Sequence, residues 1–413
     1  MTTPVLTRTT VGIVGAGPAG LMLAHLLALA GIDSVAIDLR SRREIEETHR
    51  AGILEQDSVR LLVDTGVSDR VLRDGYEHEG IELAFGGAGH RIDFRGLVGA
   101  SAQLYPQTDV FIDLAGARAR DEGDVRFGVA DVAVHDLTGP RPGITFTDAD
   151  GVAQEVRCDY LVGADGSRSL CRRAVPEAHR QQFFREYPFA WFGILVEAPP
   201  SAPELVYNHS ERGFALLSHR TDTLQRMYFQ CDPATDVADW SDDRIWEELG
   251  ARVGANGYTL QQGPITSRTV LPFRSFVQEP MRHGNLLLAG DAAHTVPPTG
   301  AKGLNLALAD VRVLAEELER AVRKDDAGAL DAYTTRALAR VWKAQHFSYW
   351  MTTMLHALPD ASPFDVRRQL GELALVTGSE AGSTYLAEAY TGWPSTTTNT
   401  STSTSSSTRR MPS

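Results

Sequence analysis

The stretch Val11-Gly12-Ile13-Val14-Gly15-Ala16-Gly17-Pro18-Ala19-Gly20 decides the fold of this chain. It reads as a short apolar strand followed by a glycine-rich turn, and the apolar run Leu21–Leu29 predicts a helix directly after it. A second buried strand is predicted at residues 35–37, and it ends at an acid, Asp38. Strand, turn, helix and strand in this order predict a βαβ unit and therefore a parallel sheet.

The turn has the chemistry of a dinucleotide site. Gly15, Gly17 and Gly20 allow a tight turn and a close approach of the backbone to a pyrophosphate at the helix N-terminus. Asp38 follows the third glycine by 18 residues, the spacing at which an acid accepts hydrogen bonds from a ribose. The unit itself is compatible with NAD(P) or with the adenine half of FAD.

A second nucleotide-type turn lies about 275 residues downstream. Residues 288–294 read as a strand ending in Gly-Asp, and the glycine-rich residues 297–305 open a long helix, which makes a second anion site. Asp291 is placed to bind a ribityl or ribose hydroxyl. Two such turns on one sheet suggest one long ligand lying across it, which favours FAD over a lone nicotinamide cofactor.

The predicted fold is α/β: a Rossmann-like FAD-binding domain with a parallel sheet, interrupted by a substrate domain built on a mixed or antiparallel sheet. Strand-like runs fill residues 181 to about 270 with turn-rich links and no predicted helix between them. The predicted division is FAD-binding domain 1–77, 100–180 and 270–320; substrate domain 78–99 and 181–269; C-terminal helical region 321–394; disordered Ser/Thr-rich tail 395–413.

Residues 214–220 and 225–231 flank a short turn and predict a hairpin within the substrate domain. The two-residue period of a strand puts Ser218 and Arg220 on one face, with Tyr228 roughly opposite on the partner strand. Arg, Ser and Tyr side chains that converge in this way can clamp a carboxylate, since a guanidinium grips both of its oxygens. The alternative is that Arg220 is an ordinary surface charge.

Composition excludes several classes of partner. The 413 residues carry a formal net charge of -13, which argues against binding to nucleic acid or to an anionic membrane surface. No apolar run approaches the length of a membrane span. The three cysteines lack metal-type spacing, so no metal site is expected, and they fit a reducing cytoplasm.

The C-terminal half predicts long helices over residues 304–322 and 329–356. The second of these carries a dense set of four aromatic residues and one methionine, which predicts either core or a dimer surface, and a homodimer is expected. Its members are Trp342, Phe347, Tyr349, Trp350 and Met351.

The glycine turn, Ala164-Asp165-Gly166 after a strand, and Gly290-Asp291 together resemble the three sequence marks of the class A flavoprotein monooxygenases, and the resemblance extends over roughly residues 10 to 394. It implies an enzyme that uses FAD, NADH or NADPH as electron donor, O2 and a small aromatic acid. In the reaction that it implies, a flavin C4a-hydroperoxide transfers oxygen next to the hydroxyl group of 4-hydroxybenzoate, giving 3,4-dihydroxybenzoate. Another hydroxy- or aminobenzoate as substrate, or a binding protein that has lost its flavin, are the alternatives.

The resemblance also assigns roles to single residues. Ser218, Arg220 and Tyr228 match positions that hold the substrate carboxylate in the family. Tyr207 would accept the proton of the substrate phenol and Tyr390 would pass it on. The remaining assignments are His78 as the group that hands the proton to solvent, Pro298 as a carbonyl that holds the substrate oxygen, and Arg50, Gln107, Asp165, Arg226, Thr299, Ala301, Leu304 and Asn305 as part of the FAD site.

The segment after the second strand, residues 38–48, bears on the electron donor. NADPH-specific members of the family carry basic and polar groups there, whereas this chain has Leu39 and Glu44 at the matching positions. Glu44, Glu46 and Glu47 would repel a 2′-phosphate, although three arginines in the same segment could still bind one. NADH is therefore predicted to be used at least as well as NADPH.

Overall fold

The computed structural model of the protein describes residues 4–48, 52–324, 326 and 328–393. Arg50 and the tail 395–413, both of which carry predictions, lie outside the described residues. None of the helices in the described part of the chain is long and apolar enough to cross a lipid bilayer.

The strands are numbered in chain order. They are β1 Val5–Val14, β2 Ser34–Asp38, β3 Ile53–Leu54, β4 Tyr76–His78, β5 Gly80–Phe85, β6 Ala88–Asp93, β7 Ala102–Leu104, β8 Asp124–Phe127, β9 Ala130–His135, β10 Gly143–Thr147, β11 Ala153–Gly163, β12 Gln181–Val196, β13 Val206–Asn208, β14 Ala215–Thr221, β15 Leu224–Cys231, β16 Ile265–Glu279, β17 Arg282–His283, β18 Leu286–Leu288 and β19 His294–Thr295.

The α-helices follow the same convention. They are α1 Pro18–Leu29, α2 Arg42–Glu46, α3 Gln56–Asp64, α4 Arg70–Arg73, α5 Phe94–Val98, α6 Gln107–Arg120, α7 Leu170–Ala174, α8 Asp242–Gly254, α9 Gly303–Arg323, α10 Ala329–Leu355, α11 Pro363–Gly378 and α12 Glu380–Thr391.

The first sheet has the strand order β17-β18-β11-β1-β2-β8, with β9 and β10 attached through β11. Strands β18, β11, β1, β2 and β8 run parallel to one another. Helices α1 and α9 pack on this sheet through one continuous apolar core. The parallel, Rossmann-like sheet expected from residues 11–38 is therefore confirmed, and residues 160–162 and 286–288 belong to the same sheet.

The second sheet is mixed but mostly antiparallel, with the order β19-β16-β12-β15-β14-β13-β5-β6. Its two faces pack against different helices. One face joins β5, β13, β14 and β15 to α10, α11 and α12 in a single apolar cluster, and the other face packs on α8. We call the first of these the helix-covered face, because the site described below lies on it.

Helix α8 corrects the expectation that no helix interrupts residues 181–270. Its N-terminus is capped by Ser241, whose hydroxyl accepts from the backbone N–H of Arg244. Ile245, Leu249 and Val253 are fully buried at the i, i+4 spacing of one helix face. The signal was therefore present in the sequence, but it lies within a stretch dominated by strand patterns.

The set of four aromatic residues and one methionine on α10 lies partly in the core and partly on the surface, the two locations considered from the sequence. Phe347 and Met351 are fully buried in the cluster beneath the helix-covered face, whereas Trp342 and Tyr349 are 43% and 40% exposed. A helix exposes one side and buries the other, so a single apolar run on α10 supplies both core and surface. The division of the chain into domains at the boundaries given above stays a prediction.

Candidate active site

The nucleotide-type motifs meet at one edge of the first sheet. Val14 of β1 pairs with Gly163 of β11 and with Ile37 of β2, and Gly163 pairs with Leu288 of β18. The turns that follow these four parallel strands therefore lie side by side at their carboxyl ends, where open α/β sheets bind their ligands. Three strand spacings separate the outer two turns, roughly 14 Å, which suits a ligand longer than one nucleotide.

The three glycines of the first turn are required for different physical reasons. Gly15 has φ +104°, and a Cβ there would overlap the carbonyl of Ala164. A Cβ on Gly20 would overlap the Gly15 carbonyl, so both positions are closed to larger residues by the backbone. Gly17 meets nothing within 4 Å and stands at the N-terminus of α1, which no side chain caps. Free N–H groups beside open space fit a pyrophosphate.

The second turn is built in the same way and touches the first. A Cβ on Gly290 would lie 3.5 Å from the Cβ of Ala19 in the first turn of α1. No side chain caps the N-terminus of α9 either, and its first residue, Gly303, faces open space. The two uncapped helix ends at one sheet edge fit the two anionic parts of an FAD molecule, its pyrophosphate and its reduced ring.

A buried ion pair holds the second turn in place. His294 and Asp310 are each 2% exposed, and their side chains are 2.6 Å apart. The same carboxylate oxygen of Asp310 accepts from the backbone N–H of Gly290 at 2.9 Å. The Asp310 carboxylate raises the pKa of His294 despite its burial, so the pair fixes the Gly290 turn with a charge-assisted hydrogen bond.

The two acids assigned to the cofactor are engaged with the backbone around them. Asp38 accepts from the N–H groups of Ala16 and Arg40, both at 2.9 Å, and so ties β2 to the glycine turn. Asp165 accepts from the N–H of Leu170 at 2.7 Å and from Cys171 at 3.1 Å, capping α7. Both residues therefore shape the edge where the cofactor would lie.

Asn305 and its neighbours fasten the second turn to the segment after β3. The Asn305 side-chain oxygen accepts from the Glu55 N–H at 2.9 Å and from the Ser58 hydroxyl at 2.7 Å. Its amide group donates to the carbonyls of Ile53 and Ala301, each at 2.9 Å. Three of these four hydrogen bonds join parts of the chain that are about 250 residues apart.

The other predicted cofactor residues occupy the same region. Thr299 is buried and accepts from Thr352 at 2.9 Å, Ala301 adopts the left-handed conformation with φ 53°, and Leu304 is half-buried in the first turn of α9. Gln107 begins α6. The carbonyl of Asp291 accepts from Arg172 at 3.3 Å.

The substrate clamp predicted from the hairpin lies on one face. Strand β14 pairs with β15 so that Ser218 is opposite Arg226 and Leu216 is opposite Tyr228. Ser218 and Arg220 therefore share the helix-covered face with Tyr228 and Arg226, although Tyr228 lies one pleat away from Ser218. The guanidinium of Arg226 is 5.1 Å from the ring centre of Tyr228.

The clamp is electropositive and buried. Arg220 is 8% exposed, and burial together with the nearby guanidinium of Arg226 lowers the pKa of Arg220 to about 10. Two cations held together in a low-dielectric region favour an anion between them. Arg220 is not the surface charge of the alternative reading, and its surroundings suit a carboxylate.

The predicted relay tyrosines are in direct contact. The hydroxyl groups of Tyr207 and Tyr390 are 2.8 Å apart, and both residues are 2% exposed. Burial raises the pKa of each phenol above its ordinary value. Tyr207 pairs with Leu216, which pairs with Tyr228, so the relay and the clamp lie on the same face of adjacent strands.

His78 and Pro298, the other two residues assigned to proton transfer and substrate binding, do not share the hydrogen bond of the two tyrosines. His78 is 3% exposed, and neither of its ring nitrogens has a hydrogen-bond partner, so it is not bonded to Tyr390. Its pKa is lowered to about 4, mainly by burial. The carbonyl of Pro298 accepts from the N–H of Ala301 at 2.9 Å, which leaves one lone pair for another donor.

Several residues of the site were not identified from the sequence. Gly193 lies opposite Tyr228, and a Cβ there would come within 2.8 Å of the tyrosine ring. Trp191 packs on the same ring, with centroids 4.7 Å apart. A glycine in the middle of a strand often marks a close approach, so Gly193 had a readable signal, whereas Trp191 had none beyond its aromatic character.

A buried charge network was also missed. Lys302 donates to Glu55 at 2.7 Å and to the carbonyl of Tyr390 at 3.0 Å. Arg340 donates to the second oxygen of Glu55 at 2.5 Å. Glu55 thus joins the second turn to α10 and α12, and it holds the helix that carries Tyr390 against the cofactor edge.

Comparison with known proteins identifies the family. The family described as "FAD binding domain" matches residues 8–348. Over 389 residues the chain is 43% identical to p-hydroxybenzoate hydroxylase of Acinetobacter baylyi, covering 94% of this chain and 96% of that protein. It is 28% identical to 3-(3-hydroxy-phenyl)propionate/3-hydroxycinnamic acid hydroxylase of Comamonas testosteroni, and covers 54% of that longer protein.

The fold is shared with solved structures as well. The crystal structure of p-nitrophenol 4-monooxygenase from Pseudomonas putida superimposes with a TM-score of 0.76 at 19% identity, covering 94% of this chain and 100% of that one. At this identity the likeness concerns the fold alone. The matched family and the relative from Acinetobacter baylyi show that the chain belongs to the class A flavoprotein monooxygenases and is an FAD-dependent aromatic hydroxylase.

Proposed function

We propose that this enzyme hydroxylates 4-hydroxybenzoate at carbon 3 to give 3,4-dihydroxybenzoate, with NADH or NADPH as electron donor. The observation that carries the proposal is the Tyr207–Tyr390 hydroxyl pair on the same sheet face as the buried Arg220 clamp. A substrate with a carboxylate at one end and a phenol at the other matches these two features. The relative from Acinetobacter baylyi, named for this substrate, supports the same choice.

The clamp residues bind and orient the substrate. Arg220 grips the carboxylate with its planar guanidinium, and Ser218 and Tyr228 donate further hydrogen bonds. The carboxylate offsets the repulsion between Arg220 and Arg226. A neutral aromatic compound would not offset that repulsion, so the clamp selects acids.

The tyrosine pair removes the proton of the substrate phenol. An electron-rich phenolate is a better target for an electrophilic oxygen than a phenol. Each tyrosine hydroxyl can accept one proton and donate another. Because burial raises the pKa of Tyr207 and of Tyr390, a lasting tyrosinate is unfavourable, and the proton passes along both hydroxyls in one concerted shift. No hydrogen bond joins Tyr390 to His78, so His78 would receive the proton through a bridging water molecule. The Pro298 carbonyl would help to hold the substrate oxygen.

The edge of the first sheet would hold FAD, which when bound and reduced activates O2 and supplies the oxygen atom that enters the ring. Gly17 and α1 would receive the pyrophosphate, and Asp38 lies at the ribose end. Gly290, Asp291 and Gly303 would hold the ribityl chain and ring. Gln107, Arg226 and Asn305 would complete the site. Arg50 belongs to the same proposal but lies outside the described residues.

The contacts within residues 38–48 support NADH as an electron donor. The side chain of Glu44 forms a capping box with Ser41, while Arg42 pairs with Glu46 and Arg43 with Glu47, both at 2.7 Å. Because Arg42 and Arg43 already form ion pairs with neighbouring glutamates, their attraction for a 2′-phosphate is weaker. We therefore expect NADH to serve at least as well as NADPH.

The remaining proposals concern the setting of the enzyme. Its cysteines are free thiols, Cys158, Cys171 and Cys231, which is consistent with the cytoplasm as its location. Two copies are expected to form a homodimer.

A panel of benzoates tests the proposed function. The purified holoenzyme is incubated with NADH, O2 and either 4-hydroxybenzoate, 3-hydroxybenzoate or 4-aminobenzoate, and the products are identified by chromatography and mass spectrometry. We expect 3,4-dihydroxybenzoate from the first compound at a kcat/KM well above the values for the others. Preferred hydroxylation of another member, or attack at another ring position, would contradict the proposal.

A further inference from the structure

A second imidazole stands beside His78. The rings of His78 on β4 and His219 on β14 have centroids 5.1 Å apart and are tilted by 33°. His219 is 6% exposed, and its Nδ1 lacks a hydrogen-bond partner, as do both nitrogens of His78. Buried polar atoms are normally satisfied, so three unsatisfied nitrogens in two touching rings call for a functional explanation.

Contacts through Tyr76 connect the His78–His219 pair to the protein surface. The ring of Tyr76 meets His219 edge-on at 5.1 Å, and its hydroxyl donates to the carboxylate of Asp222 at 3.3 Å. Asp222 is exposed, and its charge opposes the lowering of the His219 pKa that burial causes.

One further carboxylate acts on the pair from another element. Glu204, on the segment before β13, favours the charged form of His78. It accepts hydrogen bonds from Arg91 of β6 at 2.8 and 2.9 Å, so part of its charge is already compensated.

His78 alone does not reach solvent, because it is 3% exposed. We infer that His219 is a further proton-transfer residue, which takes the substrate proton from His78 and releases it toward Tyr76 and Asp222 at the surface. The inference rests on the proposed function, since it extends the route that begins at Tyr207 and Tyr390. It concerns a residue to which the sequence reasoning gave no role.

The transfer needs no other reactant. A neutral imidazole has one accepting nitrogen and one N–H donor, so His78 accepts a proton at one nitrogen and releases one from the other. His219 repeats the exchange and passes a proton to water. A bridging water molecule or a small rotation of either ring would link the two. Two adjacent imidazolium ions repel each other, so the pair carries one extra proton at a time.

A substitution series tests the route. His219→Gln, His78→Gln and the double variant are compared as holoenzymes, and the rate of phenolate formation from bound 4-hydroxybenzoate is followed by stopped-flow absorbance after a pH jump. We expect each single variant to be at least ten-fold slower than the unmodified enzyme. Because the two groups act in series, the double variant should be no slower than the slower single variant.

The matched control is His90→Gln, which removes a half-buried imidazole that stacks on Phe85 in the same sheet. It should leave the rate unchanged. A His219→Gln rate equal to that of the unmodified enzyme would overturn the inference, and so would a double variant whose losses multiply. If the unmodified enzyme hydroxylates 4-hydroxybenzoate while His219→Gln behaves like it, only the inference fails and the proposed function stands.

A second measurement does not depend on the substrate. The ring nitrogen signals of His78 are titrated by NMR in the holoenzyme with and without His219→Gln. Removal of the neighbouring cation should raise the apparent pKa of His78, because the two rings titrate as a coupled pair. An unchanged pKa of His78 would show that the rings do not share protons, whatever the substrate proves to be.

Discussion

At the scale of single residues, Tyr207 and Tyr390 show how position decides the chemistry of an ordinary side chain. Tyrosine is common in cores and has a high pKa in water. Here two hydroxyls 2.8 Å apart are enclosed by Phe94, Phe214 and Phe347. In these apolar surroundings the two hydroxyls form a hydrogen bond with each other. A bound phenol would add a third hydroxyl to this hydrogen-bonded row.

Tyr207→Phe should leave substrate binding nearly unchanged and slow hydroxylation by roughly 10²–10⁴-fold, the usual contribution of a positioned proton-transfer group. Reduced cofactor would then be oxidised without product. The measurement is the ratio of 3,4-dihydroxybenzoate formed to NADH consumed. Tyr187→Phe is the matched control, since it removes a buried hydroxyl that bonds to Ser275 at 3.1 Å outside the relay. A Tyr207→Phe ratio equal to that of the unmodified enzyme would rule out the role.

Arg220→Lys should weaken binding of 4-hydroxybenzoate by about 10–100-fold, because an ammonium cannot replace the planar two-point contact with a carboxylate. Titration of the holoenzyme, followed by its absorbance, gives the dissociation constant. Arg185→Lys, which alters an exposed guanidinium over Tyr187 and Tyr349, should have no effect. An unchanged Kd for Arg220→Lys would place the clamp elsewhere.

At the scale of elements, α2 shows how local pairing can set selectivity. This helix has five residues, Arg42–Glu46, and it carries a capping box at one end and i, i+4 ion pairs along its length. Exposed pairs of this kind contribute little to stability, but they decide which charges a phosphate group would meet.

Steady-state assays should give a kcat/KM for NADH at least equal to that for NADPH. Glu46→Gln combined with Glu47→Gln removes the carboxylates from Arg42 and Arg43, and should shift the ratio of the two values toward NADPH. Glu316→Gln with Glu319→Gln, which removes two charges from α9, serves as the control. A clear NADPH preference of the unmodified enzyme would refute the prediction.

At the scale of the whole molecule, the C-terminal helices complete the candidate active site. They cover one face of the second sheet, and α12 brings Tyr390 to Tyr207. The Glu55 pairs with Lys302 and Arg340 join these helices to the cofactor edge. Removal of one partner from such a buried network lowers the free energy of unfolding by about 3–5 kcal/mol. The network therefore fixes the C-terminal helices relative to the edge of the first sheet.

The homodimer is expected to use the exposed side of α10. An apolar cavity of about 300 Å³ lies between α10 and the second sheet, with Phe183, Tyr187, Trp342 and Tyr349 among its lining residues, and enriched aromatics are typical of interfaces. Light scattering behind size-exclusion chromatography should give about twice the chain mass of 45.0 kDa. A single-chain mass at micromolar concentration would contradict the dimer.

Deletion of residues 395–413 should leave FAD content and hydroxylase activity intact. Of its 19 residues, 14 are Ser or Thr, a composition that cannot bury a core. The flavin-to-protein absorbance ratio and kcat/KM of the shortened enzyme check this. Loss of either would mean that the tail contributes to the fold.

The sequence by itself determined the cofactor edge and the face of the clamp. Gly15, Gly17 and Gly20 follow a strand, and consecutive parallel strands bring their carboxyl ends to one edge, so the local order of elements was sufficient. Ser218 and Arg220 could be placed on one face because a strand repeats every two residues. Both inferences use the geometry of one element or of its immediate neighbours.

Only the tertiary structure decided the contacts between distant segments. The Glu55–Arg340 pair joins residues 285 positions apart, and His78 of β4 contacts His219 of β14. No periodicity reports such contacts, because they depend on how whole sheets and helices pack. The same packing takes Arg220, His78 and Tyr390 out of water, and this burial shifts the pKa of each group away from its ordinary value.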